Sequence, residues 1–253
     1  MMSWRWLLWL IPLYLVALVA LIPAAVIKWG AVPGLHLTST QGTLWHGRTS
    51  MSAELPNGGT LNLHDVSWRL SPWQLFLGQA DIALQIPSTN YIHGSATINA
   101  SASKAAITAN LQGAMQPAIQ QLKLPVPITI AGNWELTVAD YQVSDFQSGK
   151  ICDTLDARFN ARTTEMRINQ QWHALGDYVS TLSCNAQNGI AVKIDDNNLV
   201  GLRLNAQVNG RIDAPQVSLT GSMQQTLQTP KPITDLLVFL GKPDAQGRYN
   251  FKW

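Results

Sequence analysis

Residues 128–138 read Ile-Thr-Ile-Ala-Gly-Asn-Trp-Glu-Leu-Thr-Val, and this alternation is the clearest structural signal in the chain. The even-numbered positions hold Ile, Ile, Gly, Trp, Leu and Val, whereas the odd-numbered ones are mostly polar. Successive side chains of a β-strand point to opposite faces, so a period of two gathers the apolar residues on one face. The stretch therefore predicts a β-strand with one buried face.

The same alternation recurs elsewhere in the chain, whereas residues 156–177 fit neither the strand period nor the helix period cleanly. Further examples are Leu61 and Leu63, then Val66, Trp68 and Leu70; Ile82, Leu84 and Ile86; Ile107, Ala109 and Leu111; and Leu202, Leu204, Ala206 and Val208. Between Leu63 and Val66 the phase slips by one residue at Asp65, which predicts a bulge or a turn there. Turn residues separate the runs, so we expect an antiparallel meander.

Two short helices are predicted to interrupt the strands. Pro117 suits the first turn of a helix over residues 117–122. Thr234 is a candidate cap for a second helix over residues 235–240, which Gly241 would end. Of the tryptophans, Trp68, Trp73 and Trp134 are expected to fill the core.

Composition narrows the class of protein. The chain has 253 residues, of which 46% are hydrophobic, enough to bury a core and to argue against disorder. The formal net charge is +2 and no run of Lys or Arg occurs, so nucleic-acid binding has no electrostatic footprint here. Only 13% of residues are charged, which favours an envelope protein over a cytosolic enzyme.

Residues 7–27 form an uncharged apolar run with features of a membrane anchor. As a helix the run would be about 31 Å long, against a hydrocarbon core of roughly 30 Å. Aromatic and basic residues of the kind found at membrane interfaces flank it: Trp4, Arg5, Trp6, Trp9, Lys28 and Trp29. A cleaved signal peptide is the alternative, but the run exceeds a usual h-region and lacks a clear cleavage site.

Cys152 and Cys184 are the only two cysteines, and their surroundings do not resemble a zinc site. A disulfide between them would close a loop of about 33 residues and stabilise the fold by roughly 3–4 kcal/mol. It would also place this part of the chain outside the cytoplasm. Two unrelated buried thiols are the alternative.

Residues with enzymatic chemistry are not evident in the sequence. Nucleophile-elbow, Walker, dinucleotide-binding and zinc-protease motifs do not occur. His64 and Asp65 are adjacent, and in a strand their side chains would point to opposite faces, so a surface or turn role is favoured. Trp45, between Gly42 and Gly47, is a candidate for either corner packing or contact with a partner protein.

Several short motifs, in this order, resemble the type II secretion system protein N family along most of the chain. They follow the N-terminal apolar run: QGTLWHG at 41–47, VSWRLSP at 66–72 with LG at 77–78, the cysteine pair, GRIDAP at 210–215 and GRYNF at 247–251. The residues before the last motif, Asp244-Ala245-Gln246-Gly247, depart from the expected Pro-Gly turn.

The resemblance implies a bacterial inner-membrane protein, single-pass, with its C-terminal domain in the periplasm. We expect residues 1–28 to form a short cytoplasmic tail and transmembrane anchor, and residues 29–253 a periplasmic domain. The expected fold is mainly β: an N-terminal transmembrane helix followed by a curved antiparallel β-sheet domain with two short helices.

The expected function is non-enzymatic: an interaction or assembly module in protein export across the outer membrane, with no catalytic residue, metal or cofactor. Expected partners are other type II secretion components, either the inner-membrane platform or the outer-membrane secretin. An envelope protein whose β-groove binds lipid or another amphiphile is the alternative. An envelope hydrolase is a third, weaker one.

Overall fold

The computed structural model describes residues 4–30, 34–54, 59–121, 129–145, 148–211 and 214–252. Within them lie thirteen strands: β1 Leu35–Gly42, β2 His46–Glu54, β3 Thr60–Leu70, β4 Gln79–Ile86, β5 Ile92–Ser101, β6 Lys104–Ala114, β7 Ile130–Ser144, β8 Thr154–Ile168, β9 Gln171–Cys184, β10 Ile190–Ile194, β11 Arg203–Arg211, β12 Ala214–Gln224 and β13 Arg248–Lys252. The helices in those ranges are α1 Trp4–Ala20, α2 Pro72–Phe76, α3 Met115–Gln121 and α4 Lys231–Leu237, with 3₁₀ turns at Ala24–Gly30 and Val238–Leu240.

All thirteen strands of the described ranges belong to one open antiparallel sheet, in which strand order follows chain order from β1 to β13. The predicted meander is confirmed. The strand predicted over residues 128–138 extends from Ile130 to Ser144, and Ile128 lies outside the described residues. Each hairpin turns the chain back, so the connections alternate between two ends of the sheet.

One end of the sheet holds the β1–β2 turn and α2, which connects β3 to β4. We call it the α1 end, because Trp45 in the β1–β2 turn hydrogen-bonds to α1. The opposite end holds α3, after β6, and α4, between β12 and β13. We call it the α4 end.

One face of the sheet is apolar from one side to the other. Directly paired residues share a face, and one such row crosses twelve strands: Gly42, Gly47, Trp68, Leu84, Ala96, Ala109, Val138, Ala157, Leu182, Val192, Ala206 and Leu219. A second row on this face crosses ten: Ile86, Gly94, Leu111, Leu136, Phe159, Ser180, Ile194, Leu204, Gly221 and Phe251. Ser180 is the one polar residue of the two rows, and its hydroxyl donates to the Lys193 carbonyl.

The residues between these rows point to the other face, and they are polar in every strand. The row that crosses all thirteen strands is Gln41, Arg48, Ser67, Gln85, Ser95, Asn110, Thr137, Arg158, Thr181, Lys193, Asn205, Thr220 and Lys252. All but Ser67 and Thr137 are exposed. The sheet thus has one solvated face and one apolar face, as the sequence alternation requires.

Register shifts interrupt several strand pairs. The slip predicted at Asp65 is confirmed: Thr49 pairs with Val66 but Met51 pairs with Leu63, and Asp65 has φ +52°. The β6–β7, β7–β8 and β8–β9 pairs shift as well. Bulges of this kind bend a strand and keep each side chain on its proper face.

The two predicted short helices are present with different bounds. The first begins at Met115, so Pro117 lies in its first turn, and Leu122 lies outside the described residues. The second begins at Lys231, and the cap predicted at Thr234 is wrong because Pro232 already occupies the first turn. Helix α2 was not predicted.

Helix α1 ends earlier than the apolar run suggests. The predicted continuous helix over residues 7–27 is wrong: the helix stops at Ala20, and a 3₁₀ turn begins at Ala24. Pro23 disfavours helical geometry at the residue before it, and the Ile22 carbonyl accepts the Leu44 N–H at 2.8 Å instead. Within the described ranges, none of the helices combines the length and the hydropathy needed to cross a membrane.

Candidate functional site

A cavity of about 990 Å³ lies on the apolar face, near the α4 end. Strands β7 to β10 and β12 supply its floor, and the helices α3 and α4 lie over it. The main lining side chains are Ile119, Trp134, Phe159, Met166, Leu175, Ile194, Leu202, Met223, Leu236 and Phe239. A volume in this range and an apolar lining are typical of ligand-binding cavities.

Helix α4 is held against the sheet by a small core. Ile233 is buried in one cluster with Leu175 and Val200. The connection that leads to α4 is hydrogen-bonded as well, because the hydroxyls of Thr226 and Thr229 both donate to the Leu199 carbonyl, at 2.7 and 3.0 Å. These contacts fix one wall of the cavity.

Helix α3 forms the opposite wall, next to an aromatic pair. The rings of Trp134 and Phe159 stack with their centroids 6.0 Å apart. The Trp134 indole N–H donates to the Ala114 carbonyl at 3.2 Å, immediately before α3 begins. The aromatic pair therefore links the cavity floor to the start of α3.

Few polar atoms face the cavity. The Thr164 hydroxyl is buried and has no hydrogen-bond partner among the described residues. Burial raises the pKa of Tyr178 to about 12, so its hydroxyl stays neutral at physiological pH. A molecule that entered would meet an apolar lining.

Trp45 lies at the α1 end of the sheet, in the β1–β2 turn. Its indole N–H donates at 2.8 Å to the Val19 carbonyl in the last turn of α1, which also accepts the Ile22 N–H at 3.4 Å. Its own carbonyl accepts the Leu70 N–H at 2.7 Å. Trp45 thus connects the helix to the sheet, and its contact with a partner protein stays a prediction.

The three tryptophans expected in the core, Trp68, Trp73 and Trp134, have different outcomes. Trp68 is buried, and its indole N–H donates to the Leu44 carbonyl at 3.0 Å. Trp134 is half-buried on the cavity floor. Trp73 was expected in the core and this is wrong, because 79% of its surface is exposed on α2.

The predicted disulfide between Cys152 and Cys184 is confirmed, with the two Cα atoms 5.7 Å apart. It joins the β7–β8 connection to the end of β9. Beside it, the Asp153 carboxylate accepts hydrogen bonds from the Ser144 N–H and hydroxyl and pairs with Lys150. Lys150 and Ser144 together lower the pKa of Asp153.

Of the residues expected at the ends of the anchor, the structure describes the side chain of Lys28. Lys28 is exposed in the 3₁₀ turn after α1. The side chains of Trp4, Arg5, Trp6, Trp9 and Trp29 lie outside the described part of the structure. From Leu10 to Leu21 the larger side chains of α1 and the turn after it, such as Leu13, Tyr14 and Leu21, are exposed although most are apolar.

Of the cavity lining, sequence alternation predicted Ile130, Trp134 and Leu202 as strand residues. Residues 156–177, which include Met166 and Leu175, fitted neither period, and the cavity itself was not predicted. Alternation assigns a face to each residue and says nothing of whether another layer covers that face. The described residues also contain no group of three or more His, Cys, Asp or Glu side chains able to hold a metal ion.

The structure defines a class of protein built on one open antiparallel sheet, with an apolar face that its own short helices cover only in part. Residues 33–252 match the family model described as "Type II secretion system (T2SS), protein N". The chain therefore belongs to the type II secretion system protein N family, a family of secretion-machinery components.

Two relatives support this assignment. The chain is 25% identical over 224 residues to type II secretion system protein N of Aeromonas hydrophila, covering 87% of this chain and 83% of the relative. It is 26% identical over 226 residues to the protein of the same name from Vibrio cholerae serotype O1, covering 86% and 83%. No solved structure matches the chain significantly.

Proposed function

We propose that this chain is a non-enzymatic component of a type II secretion system in the bacterial inner membrane. Residues 1–28 form its cytoplasmic tail and single-pass anchor, and residues 29–253 its periplasmic domain. The family match over residues 33–252 carries the proposal. The exposed apolar side chains of α1 and a disulfide of the kind that persists in oxidising compartments support it.

The domain acts as an interaction module through the edge of its sheet. In the described residues, β1 and β13 are the two edge strands. β13 is short and carries Arg248 and Lys252, the kind of edge that resists pairing with another chain. β1 is longer and has no Asp, Glu, Lys or Arg, so a strand of another secretion component is expected to add there.

Site-specific photocrosslinking in cells that contain the secretion system tests this mode. A photoreactive amino acid replaces Thr38, which is exposed on β1, and in a matched control it replaces Asn250, which is exposed on β13. We expect crosslinks to a platform or secretin subunit from position 38 and few from position 250. Absence of secretion components from the position 38 products would contradict edge docking.

The cavity favours a second candidate function, in which the apolar face binds a lipid or another amphiphile. In this arrangement the sheet is curved and its apolar face is concave. The bulges that bend several strands, and the half-buried state of most apolar-row residues, support that shape. The apolar lining of the cavity suits an acyl chain.

Cavity filling tests the second candidate. Ala118 on α3 lines the cavity, whereas Gln116 on the same helix is exposed. Lipid that copurifies with the full chain is measured by mass spectrometry after extensive washing. If the cavity binds lipid, Ala118→Trp lowers the amount several-fold and Gln116→Trp leaves it unchanged. Equal lipid content in both variants would exclude the cavity as the binding site.

A further inference from the structure

Four large apolar side chains are exposed together on the β3–β4 connection. They are Trp73, Leu75, Phe76 and Leu77, which we call the α2 patch. Trp73 and Phe76 are 79% and 76% exposed, and their ring centroids lie 6.1 Å apart. No charged residue occurs between Arg69 and Asp81. Clustered apolar exposure of this kind marks a contact surface.

The α2 patch lies at the point where α1 meets the sheet. The Trp45 indole donates to Val19 near the end of α1, and the Trp45 carbonyl accepts the N–H of Leu70. Helix α2 begins two residues after Leu70. The Ser71 N–H is itself fixed by the Asp81 carbonyl at 3.0 Å, so the patch has a defined position beside the end of α1.

The position of the α2 patch beside α1 indicates that the patch contacts lipid. The apolar side chains of α1 are exposed from Leu10 to Leu21, and a helix with such a surface is expected in lipid. The α2 patch is a second exposed apolar surface, on the sheet side of Trp45. Trp, Phe and Leu without nearby charge are the side chains that bury themselves at the boundary between headgroups and acyl chains.

We propose that the α2 patch inserts into the periplasmic surface of the inner membrane, as a second lipid contact beside α1. This inference rests on the proposed anchoring by residues 1–28. With two contact points, the α1 end of the sheet faces the bilayer and the α4 end points away from it. The membrane then sets the orientation in which the sheet edge and the cavity meet their partners.

Depth-dependent quenching on the full chain tests this contact. The only two cysteines are joined in the disulfide, so one introduced cysteine is the single site for an environment-sensitive label. Labels are placed at Phe76→Cys on the patch, Leu13→Cys on α1 and Leu227→Cys at the α4 end, where Leu227 is fully exposed and does not line the cavity. The protein is reconstituted into phosphatidylethanolamine–phosphatidylglycerol vesicles, with or without nitroxide-labelled lipid.

We expect nitroxide lipids to quench the labels at 13 and 76 several-fold more than the label at 227. Quenching at 13 without quenching at 76 would overturn the α2 contact and leave the anchor intact. Equal quenching at 76 and 227 would overturn the proposed orientation. An unquenched label at 13 would instead refute the anchor on which the inference rests.

Discussion

Asn90 is buried beside the bulge of β3 and hydrogen-bonds both backbone groups of His64. Its Oδ1 accepts the His64 N–H at 2.7 Å, and its Nδ2 donates to the His64 carbonyl at 2.9 Å. Pairing of β3 with β4 ends at Ser67 and Gln85, so at His64 a side chain from the β4–β5 connection takes the place of a strand partner. The phase slip predicted the bulge from sequence, whereas nothing in the pattern identified Asn90 as its partner.

The Asn90→Ala substitution is expected to destabilise the fold by about 2 kcal/mol, because it leaves buried backbone groups of His64 unpaired. The measurement is thermal or urea unfolding of the full chain in detergent, followed by tryptophan fluorescence. Asn99→Ala, at an exposed position of β5, is the matched control and is expected to change little. Equal stability of the two variants would contradict the role of Asn90.

Asp153 is expected to make the stability of the disulfide region depend on pH. Its pKa is lower in the folded state, because Lys150 and Ser144 stabilise the carboxylate. The stabilisation is therefore present above the ordinary carboxyl pKa of about 3.9 and is lost as the pH falls through the folded pKa. The Asp153→Asn variant should lower the unfolding temperature at pH 7, and its difference from the parent should shrink as the pH falls below the ordinary carboxyl pKa of about 3.9.

Unfolding scans from pH 3 to pH 7 check this expectation, with Asp156→Asn, at an exposed position of β8, as the control. A difference between Asp153→Asn and the parent that is constant over this range would show that the carboxylate charge has no part in the effect.

The strands and the helices differed in how well the sequence predicted them. Strands such as β7 were predictable because one face is polar and the other apolar. Helix α2 was not, because Trp73 and Phe76 look like core residues and their exposure depends on what lies beside them. The end of α1 depends on Leu44, a residue distant in sequence that binds the Ile22 carbonyl.

The disulfide joins the β7–β8 connection to the end of β9, at the open end of the β8–β9 hairpin. It therefore constrains β7, β8 and β9 together. Cys152→Ser together with Cys184→Ser is expected to lower the free energy of unfolding by roughly 3–4 kcal/mol. In intact cells, a thiol reagent should label neither cysteine until the protein is reduced, because both sulfur atoms are bonded in the disulfide. Two reactive thiols in the native periplasmic protein would refute the disulfide and remove one support for the periplasmic location.

Across the whole molecule, two rows of apolar residues make one face of the sheet a continuous apolar surface. Local alternation predicted the segments of these rows on β3, β4, β6, β7 and β11, and pairing of the strands in chain order joined them to the rest. The cavity could not be predicted, since it depends on α3 and α4 lying over residues from distant strands. The edge that remains on β1 likewise follows only from the complete strand order.

The most direct test of the proposed role is affinity purification of the full chain from native membranes in a gentle detergent, with copurified proteins and lipids identified by mass spectrometry. We expect recovery of platform or secretin subunits of the type II secretion system. A membrane preparation that lacks the secretion system serves as the control. Stoichiometric lipid without any secretion subunit would contradict the proposed role and favour the lipid-binding alternative.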